Sequence, residues 1–152
     1  MLKGIDPLLT PDLLRVLAAM GHGDEIAVVD ANFTAASLAG SKPLIQLAGA
    51  GLERTCLAVL SLLPLDDFVD QPVAYMQVSG SADAYRTALQ RETIAAMVEA
   101  GHCSGQEQCQ GMERFAFYDR VSSAYAVVQT GELQPWANFI FKKGVLAEAL
   151  RG

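Results

Sequence analysis

Leu13, Leu14, Val16, Leu17 and Met20 recur at intervals of three and four, the stripe of a helix with one buried face. Thr10, Pro11 and Asp12 precede it with a capping hydroxyl, a proline suited to the first helical position and an acid facing the helix dipole. Gly21 stands where a left-handed C-terminal cap would close that helix. Ile26-Ala27-Val28-Val29 is a continuous apolar run ending at Asp30, the pattern of a strand covered on both faces. The order strand then helix recurs. Pro43 to Ala48 predicts a strand before a helix over Leu52 to Leu63 stopped by Pro64, and Val73 to Val78 predicts one before a helix over Ala84 to Ala100 capped by Gly101. Cys103 to Gly111, polar and rich in Gly and Gln, predicts an exposed loop. Glu113 to Ala124 predicts a helix, and Tyr125 to Gln129 and Phe139 to Phe141 predict strands able to pair with each other across Thr130 to Asn138. The alternation implies an α/β fold built on a central, mainly parallel sheet, with residues 1–152 as one domain.

Composition adds an expectation about assembly. A chain of 152 residues that is 51% hydrophobic closes one core with apolar surface left over, which symmetric contacts between copies would cover, so a homo-oligomer is expected. A net charge of -6, with no basic cluster longer than Lys142-Lys143, argues against nucleic acid and against an anionic membrane surface as partner. No apolar run is long enough to span a bilayer, and the first residues lack the pattern of a signal peptide, so a cytoplasmic location is expected. Cys56, Cys103 and Cys109 lack C-x-x-C spacing and read as buried or loop thiols rather than a disulfide framework or zinc site. Neither a phosphate-binding glycine loop, a serine nucleophile elbow nor a histidine cluster for a metal is present, which weakens a dinucleotide or metal reading.

Four places could carry chemistry. His22, between Gly21 and Gly23 and close to Asp24 and Asp30, reads either as a general acid–base with carboxylates fixing its tautomer or as a residue meeting a helix dipole. Asp30, at the carboxyl end of a buried strand, is either a ligand contact or a turn carboxylate leading into Asn32-Phe33-Thr34. Glu113 to Arg120 alternates aromatic rings with Arg114, Tyr118 and Arg120, which suits either a sugar-binding surface or a packed helix with exposed arginines. Trp136-Ala137-Asn138 holds the one tryptophan of the chain, either a ligand platform or a core or interface anchor.

Taken in order, several segments resemble the RbsD/FucU family of sugar mutarotases. They are Leu2-Lys3-Gly4-Ile5, Pro7-Leu8-Leu9-Thr10-Pro11-Asp12-Leu13-Leu14, Met20-Gly21-His22-Gly23-Asp24-Glu25-Ile26 and Leu63-Pro64-Leu65-Asp66. Further along come Arg114-Phe115-Ala116-Phe117-Tyr118-Asp119-Arg120, Ala126-Val127-Val128-Gln129-Thr130-Gly131-Glu132 and Lys142-Lys143-Gly144-Val145. The Arg-Phe-x-Phe-Tyr segment is similar to the fucose branch. The resemblance implies a Rossmann-like three-layer α/β/α subunit in a homo-oligomeric ring, typically a decamer, with monosaccharide sites near subunit contacts. It also implies cofactor-free interconversion of α and β anomers.

By the same resemblance His22 is the proton donor, Asp30, Asp66, Arg114 and Tyr118 lie in or around the site, and Asn138 contributes to sugar binding. The expectation is therefore that His22, oriented by Asp24 or Asp30, serves one oxygen while Tyr118 or Asp66 serves the other. Arg114, Asn138 and Trp136 would hold an L-fucose-like 6-deoxyhexose or a pentose. Three departures from the family pattern stand out. Trp136-Ala137-Asn138 replaces Tyr-Gly-Asn, Leu47-Ala48-Gly49-Ala50 replaces Arg-Ala-Asp-Gly, and Asn32-Phe33-Thr34 stands where His or Asn precedes Phe-Pro. These keep open a sugar-binding oligomer without catalysis, linked to sugar uptake, and an isomerase for another sugar.

Overall fold

The computed structural model describes residues 1–147; residues 148–152, the end of the expected domain, lie outside that description. In chain order the elements are α1 (Pro11–Ala19), β1 (Glu25–Val29), α2 (Ala35–Ala39), β2 (Leu44–Leu47), α3 (Leu52–Leu60) and β3 (Val73–Met76). There follow α4 (Ala88–Glu99), a 3₁₀ turn (Gln106–Gln108), β4 (Cys109–Met112), α5 (Arg114–Ser122), β5 (Ala126–Thr130) and β6 (Phe139–Lys142). The strands form one sheet in the order β2-β5-β1-β6-β3-β4. Among the described residues only β6 runs antiparallel to its neighbours, so the sheet is mainly parallel, as the sequence pattern implies.

Helices cover both faces. On one, Leu13, Val16 and Leu17 of α1, Leu52, Cys56 and Val59 of α3, and Leu89, Ile94 and Met97 of α4 pack on Ile26, Val28, Tyr75, Phe139 and Phe141. On the other, Ala35 and Ala39 of α2 and Phe117 and Val121 of α5 pack on Ala27, Val29, Ala74, Met76 and Ile140. Alternate residues of β1 and β6 thus feed the two cores, which is why those strands are apolar throughout. The result is the three-layer α/β/α sandwich.

Several local expectations hold. Thr10 Oγ1 accepts the Leu13 N–H with Pro11 in the first turn, and Gly101, at φ 80°, follows the C-cap of α4. Others need correction. Gly21 is not left-handed; α1 ends in extended backbone at Met20, and Gly23, at φ 84°, takes the left-handed position that turns the chain into β1. β5 and β6 do not pair, because β1 lies between them. The stretch expected as an exposed loop ends in β4, an edge strand paired with β3. Its Cys109 side chain is buried despite the polar sequence around it. The third strand stops at Met76, and the following helix starts only at Ala88, behind a Thr87–Gln90 capping box.

Candidate active site

At the carboxyl end of the parallel strands, Asp30, Met76, Arg114, Tyr118, Trp136 and Asn138 line one open pocket of about 300 Å³ together with Asn32, Phe33 and Pro135. Each side chain arrives there for a local reason. Asp30 is the residue after β1, where its Oδ1 accepts the Asn32 N–H at 3.0 Å and closes a turn. Asp30 thus closes the turn and also lines the pocket.

Arg114 and Tyr118 are one helical turn apart at the start of α5, whose N-terminus Glu113 caps by accepting the Phe115 and Ala116 N–H groups at 2.9 Å. The Arg114 Nε donates to the Tyr118 hydroxyl at 2.9 Å, and the guanidinium lies 5.3 Å from the Tyr118 ring centroid. Asn138, the residue before β6, accepts the Asp30 N–H through Oδ1 at 2.9 Å. Trp136 is the one non-glycine residue with positive φ, 65°, among the described residues. Burial pushes the Asp30 carboxyl above its ordinary value, against the pull of the Asn32 N–H and of Asn138.

His22 and Asp66 sit elsewhere. His22 lies in the turn before β1, and its Nε2 is 3.0 Å from Asp66 Oδ1. That carboxylate oxygen also accepts the Phe68 N–H at 3.1 Å, and the Phe68 ring lies 5.2 Å from the imidazole. The Asp66 side chain is 4% exposed and that of His22 47%, so a buried anion backs an accessible imidazole. Burial works to raise the Asp66 pKa, but the Phe68 N–H and His22 hold it below the ordinary value. A carboxylate at Nε2 selects the tautomer with its proton on that nitrogen and leaves Nδ1 as the base. Asp24 does not orient the ring; its Oδ2 accepts the Gly21 N–H at 2.7 Å and shapes the turn. Lys143 fixes the same turn: its carbonyl accepts from Gly23 at 2.8 Å, its N–H donates to Asp24 at 2.9 Å, and its ammonium donates to the Leu17 carbonyl of α1 at 2.8 Å.

The two groups are at opposite ends of the sheet. His22 precedes β1 and Asp30 follows it; Asn138 precedes β6 while Asp66 bonds to Lys142 at its far end. The 5 residues of β1 at about 3.3 Å each put roughly 16 Å between the two ends. Asp30 therefore does not orient His22 within one chain, and Asp66 is the partner of His22 rather than a second, independent acid. The Leu47–Ala50 departure lies outside the pocket: the turn bonds to Gly131 through the Ala50 carbonyl at 2.8 Å.

Met76, Phe33 and Phe68 were not anticipated as site residues. Only the position of Phe68 two residues after Asp66, and of Phe33 in the turn after Asp30, signalled them. A larger groove of about 550 Å³ is walled mainly by Leu2, Leu14, Leu17, Leu62, Pro64 and Leu146, with Lys143 as its one charged lining residue. Among the described residues, no three His, Cys, Asp or Glu side chains gather as a metal-binding group, and no helix is long and apolar enough to cross a membrane.

Comparison with known proteins places these features in context. Residues 3–146 match the model of the RbsD / FucU transport protein family. The human fucose mutarotase is 42% identical over 149 residues, covering 96% of this chain and 95% of the relative. The L-fucose mutarotase of Glaesserella parasuis is 43% identical over 145 residues, covering 95% and 96%. The crystal structure of the Streptococcus pneumoniae fucose mutarotase in complex with L-fucose superposes with a TM-score of 0.84 at 39% identity, covering 95% of this chain and 99% of that one.

Proposed function

The chain belongs to the RbsD / FucU transport protein family, and from that premise we propose that it is a sugar mutarotase, an isomerase that exchanges the α and β anomers of a monosaccharide. The proposed substrate is an L-fucose-like 6-deoxyhexose or a pentose. Support for the class comes from the relatives named fucose mutarotase. Support for this chemistry comes above all from His22 and Asp66, an accessible imidazole backed by a buried carboxylate.

Anomer exchange needs two proton transfers. The anomeric hydroxyl gives up its proton as the ring oxygen gains one, the bond between that oxygen and the anomeric carbon breaks, and the open-chain carbonyl turns and closes again. His22 exchanges a proton at Nδ1 with one oxygen while Asp66 holds the opposite nitrogen and stabilises the imidazolium. Tyr118, whose hydroxyl oxygen accepts from Arg114, keeps its own O–H for the other oxygen. Arg114, Asp30 and Asn138 hold sugar hydroxyls, and the Trp136 ring covers apolar C–H groups.

Because the two groups lie roughly 16 Å apart along β1, the proposed complete site forms between copies, with the His22 end of one chain meeting the pocket of the next. That arrangement fits a homo-oligomeric ring, taken here as a decamer acting in the cytoplasm without a cofactor. Saturation-transfer NMR on L-fucose and D-ribose tests the activity. Faster anomer exchange with the wild-type protein and its loss in His22→Ala are expected; unchanged exchange in an assembled His22→Ala protein would falsify the role of His22. One observation favours a second reading. Trp136, the first residue of the Trp136-Ala137 departure, lines the pocket itself, so sugar-dependent thermal stabilisation without faster exchange would identify a binding protein that has lost catalysis.

A further inference from the structure

We infer that Gln90 of α4 is a positioning residue of this pocket, its buried carboxamide holding the Trp136–Asn138 turn against the end of β3. The inference rests on reading the pocket as the sugar site. Gln90 is 0% exposed and does not line the pocket, but it bonds to two residues that do. Its Nε2 donates to the Met76 carbonyl at 2.8 Å and to the Trp136 carbonyl at 2.9 Å, and its Oε1 accepts the Thr87 N–H at 2.9 Å. These partners fix the amide orientation, since the reverse would set an oxygen against two carbonyls and an NH₂ against an N–H.

Trp136 needs such a hold. A bulky aromatic residue at φ 65° sits in the left-handed region that side chains other than glycine disfavour, and it stays there only when its surroundings determine it. Two donors converge on its carbonyl, the Gln90 amide and the Asn138 N–H at 3.0 Å. A second tie joins the same turn to β3, where the Met76 N–H donates to the Asn138 carbonyl at 3.1 Å. Gln90 thus connects the capped N-terminus of α4 directly to Met76 and Trp136 and, through the bonds these make, to Asn138, three of the residues that line the pocket.

Trp136 is the one tryptophan of the chain, so its fluorescence reports on this turn alone. Gln90→Met keeps the length and removes both donors; Gln90→Glu keeps the acceptor for Thr87 and sets a carboxylate against the two carbonyls. Well below the unfolding midpoint, each variant is expected to shift Trp136 emission to the red and increase its quenching by acrylamide in sugar-free protein. Each is also expected to raise KM about tenfold while kcat stays within about threefold. Should Gln90→Met fail to fold, Gln90→Glu decides alone: protonation at acid pH restores one donor, so its emission and quenching should move back toward those of wild type measured at the same pH. A lower midpoint with wild-type emission, quenching and KM would overturn the inference and leave Gln90 a structural residue. A wild-type protein that responds to no sugar would count against the sugar-site reading, while sugar-free quenching would still decide the role of Gln90.

Discussion

Replacing Asn138 with alanine removes the acceptor of the Asp30 N–H, 2.9 Å away, at a position only 2% exposed. Water does not readily take its place, so the N–H loses a hydrogen bond that burial makes hard to recover, a cost of about 1–3 kcal/mol. Taking about 2 kcal/mol, and about 2–4 °C per kcal/mol for a chain of this size, Asn138→Ala should lower Tm by about 4–8 °C. Calorimetry at fixed protomer concentration reads this, since contacts between copies would add to the apparent stability. The same variant should weaken sugar binding, seen as a higher KM in the anomer-exchange assay. Asn138→Asp provides the contrast. It keeps an acceptor for the N–H but sets a carboxylate beside Asp30, whose own carboxyl burial already pushes up. It should be the less stable variant at pH 7 and recover as the pH falls and one of the pair is protonated. An Asn138→Ala protein with Tm within about a degree of wild type and an unchanged KM would refute this reasoning.

Asp66 makes stability depend on pH with a definite sign. Its folded pKa lies below the ordinary 3.8, so the stability it contributes is present above 3.8 and is lost as the pH falls through the folded value. Urea titrations across that window should show a steeper acid loss in wild type than in Asp66→Asn. Asp30 is shifted the other way, so sugar affinity should start to fall at a pH above 3.8, and fluorescence titration of Asp30→Asn should lack that limb. Lys143→Met removes the ammonium bonded to the Leu17 carbonyl near the end of α1. The expected loss is about 1–2 kcal/mol by urea unfolding, with a lower kcat because the His22 turn is less fixed.

The parts of the fold that were readable in sequence are those with local causes. The Thr10-Pro11 start, the buried run before Asp30 and the glycine after α4 each act through neighbours within a turn or a strand. α2, five residues of Ala35-Ala36-Ser37-Leu38-Ala39, is too short for a helical stripe, and it holds its place by packing on α5 and β5. β4 reads Cys-Gln-Gly-Met, without a β-branched or aromatic residue, and is made a strand by its ladder with β3 rather than by its own propensity. Strand order is also a tertiary fact: β5 and β6 are consecutive, yet the antiparallel β6 enters between β1 and β3.

Proximity in sequence misdirected the partner of His22. Asp24 lies two positions away and Asp30 eight, but the bond goes to Asp66, 44 positions on, because Leu65 bridges to Lys143 beside the His22 turn. The candidate set itself was legible through the family pattern: Asp30, Arg114, Tyr118 and Asn138 gather at one end of the sheet and His22 meets Asp66 at the other. Its division between the two ends of the sheet was not, since that depends on which end of β1 each segment meets.

That division also gives the most direct test. Inactive His22→Ala protein and inactive Arg114→Ala protein are dissociated, mixed in equal amounts and reassembled, and anomer exchange is followed by saturation-transfer NMR. If each site takes its imidazole from one copy and its pocket from the next, random mixing restores both halves at about one site in four, giving roughly a quarter of wild-type exchange from two inactive parents. Mixed assemblies that form but remain as inactive as their parents would contradict a site shared between copies.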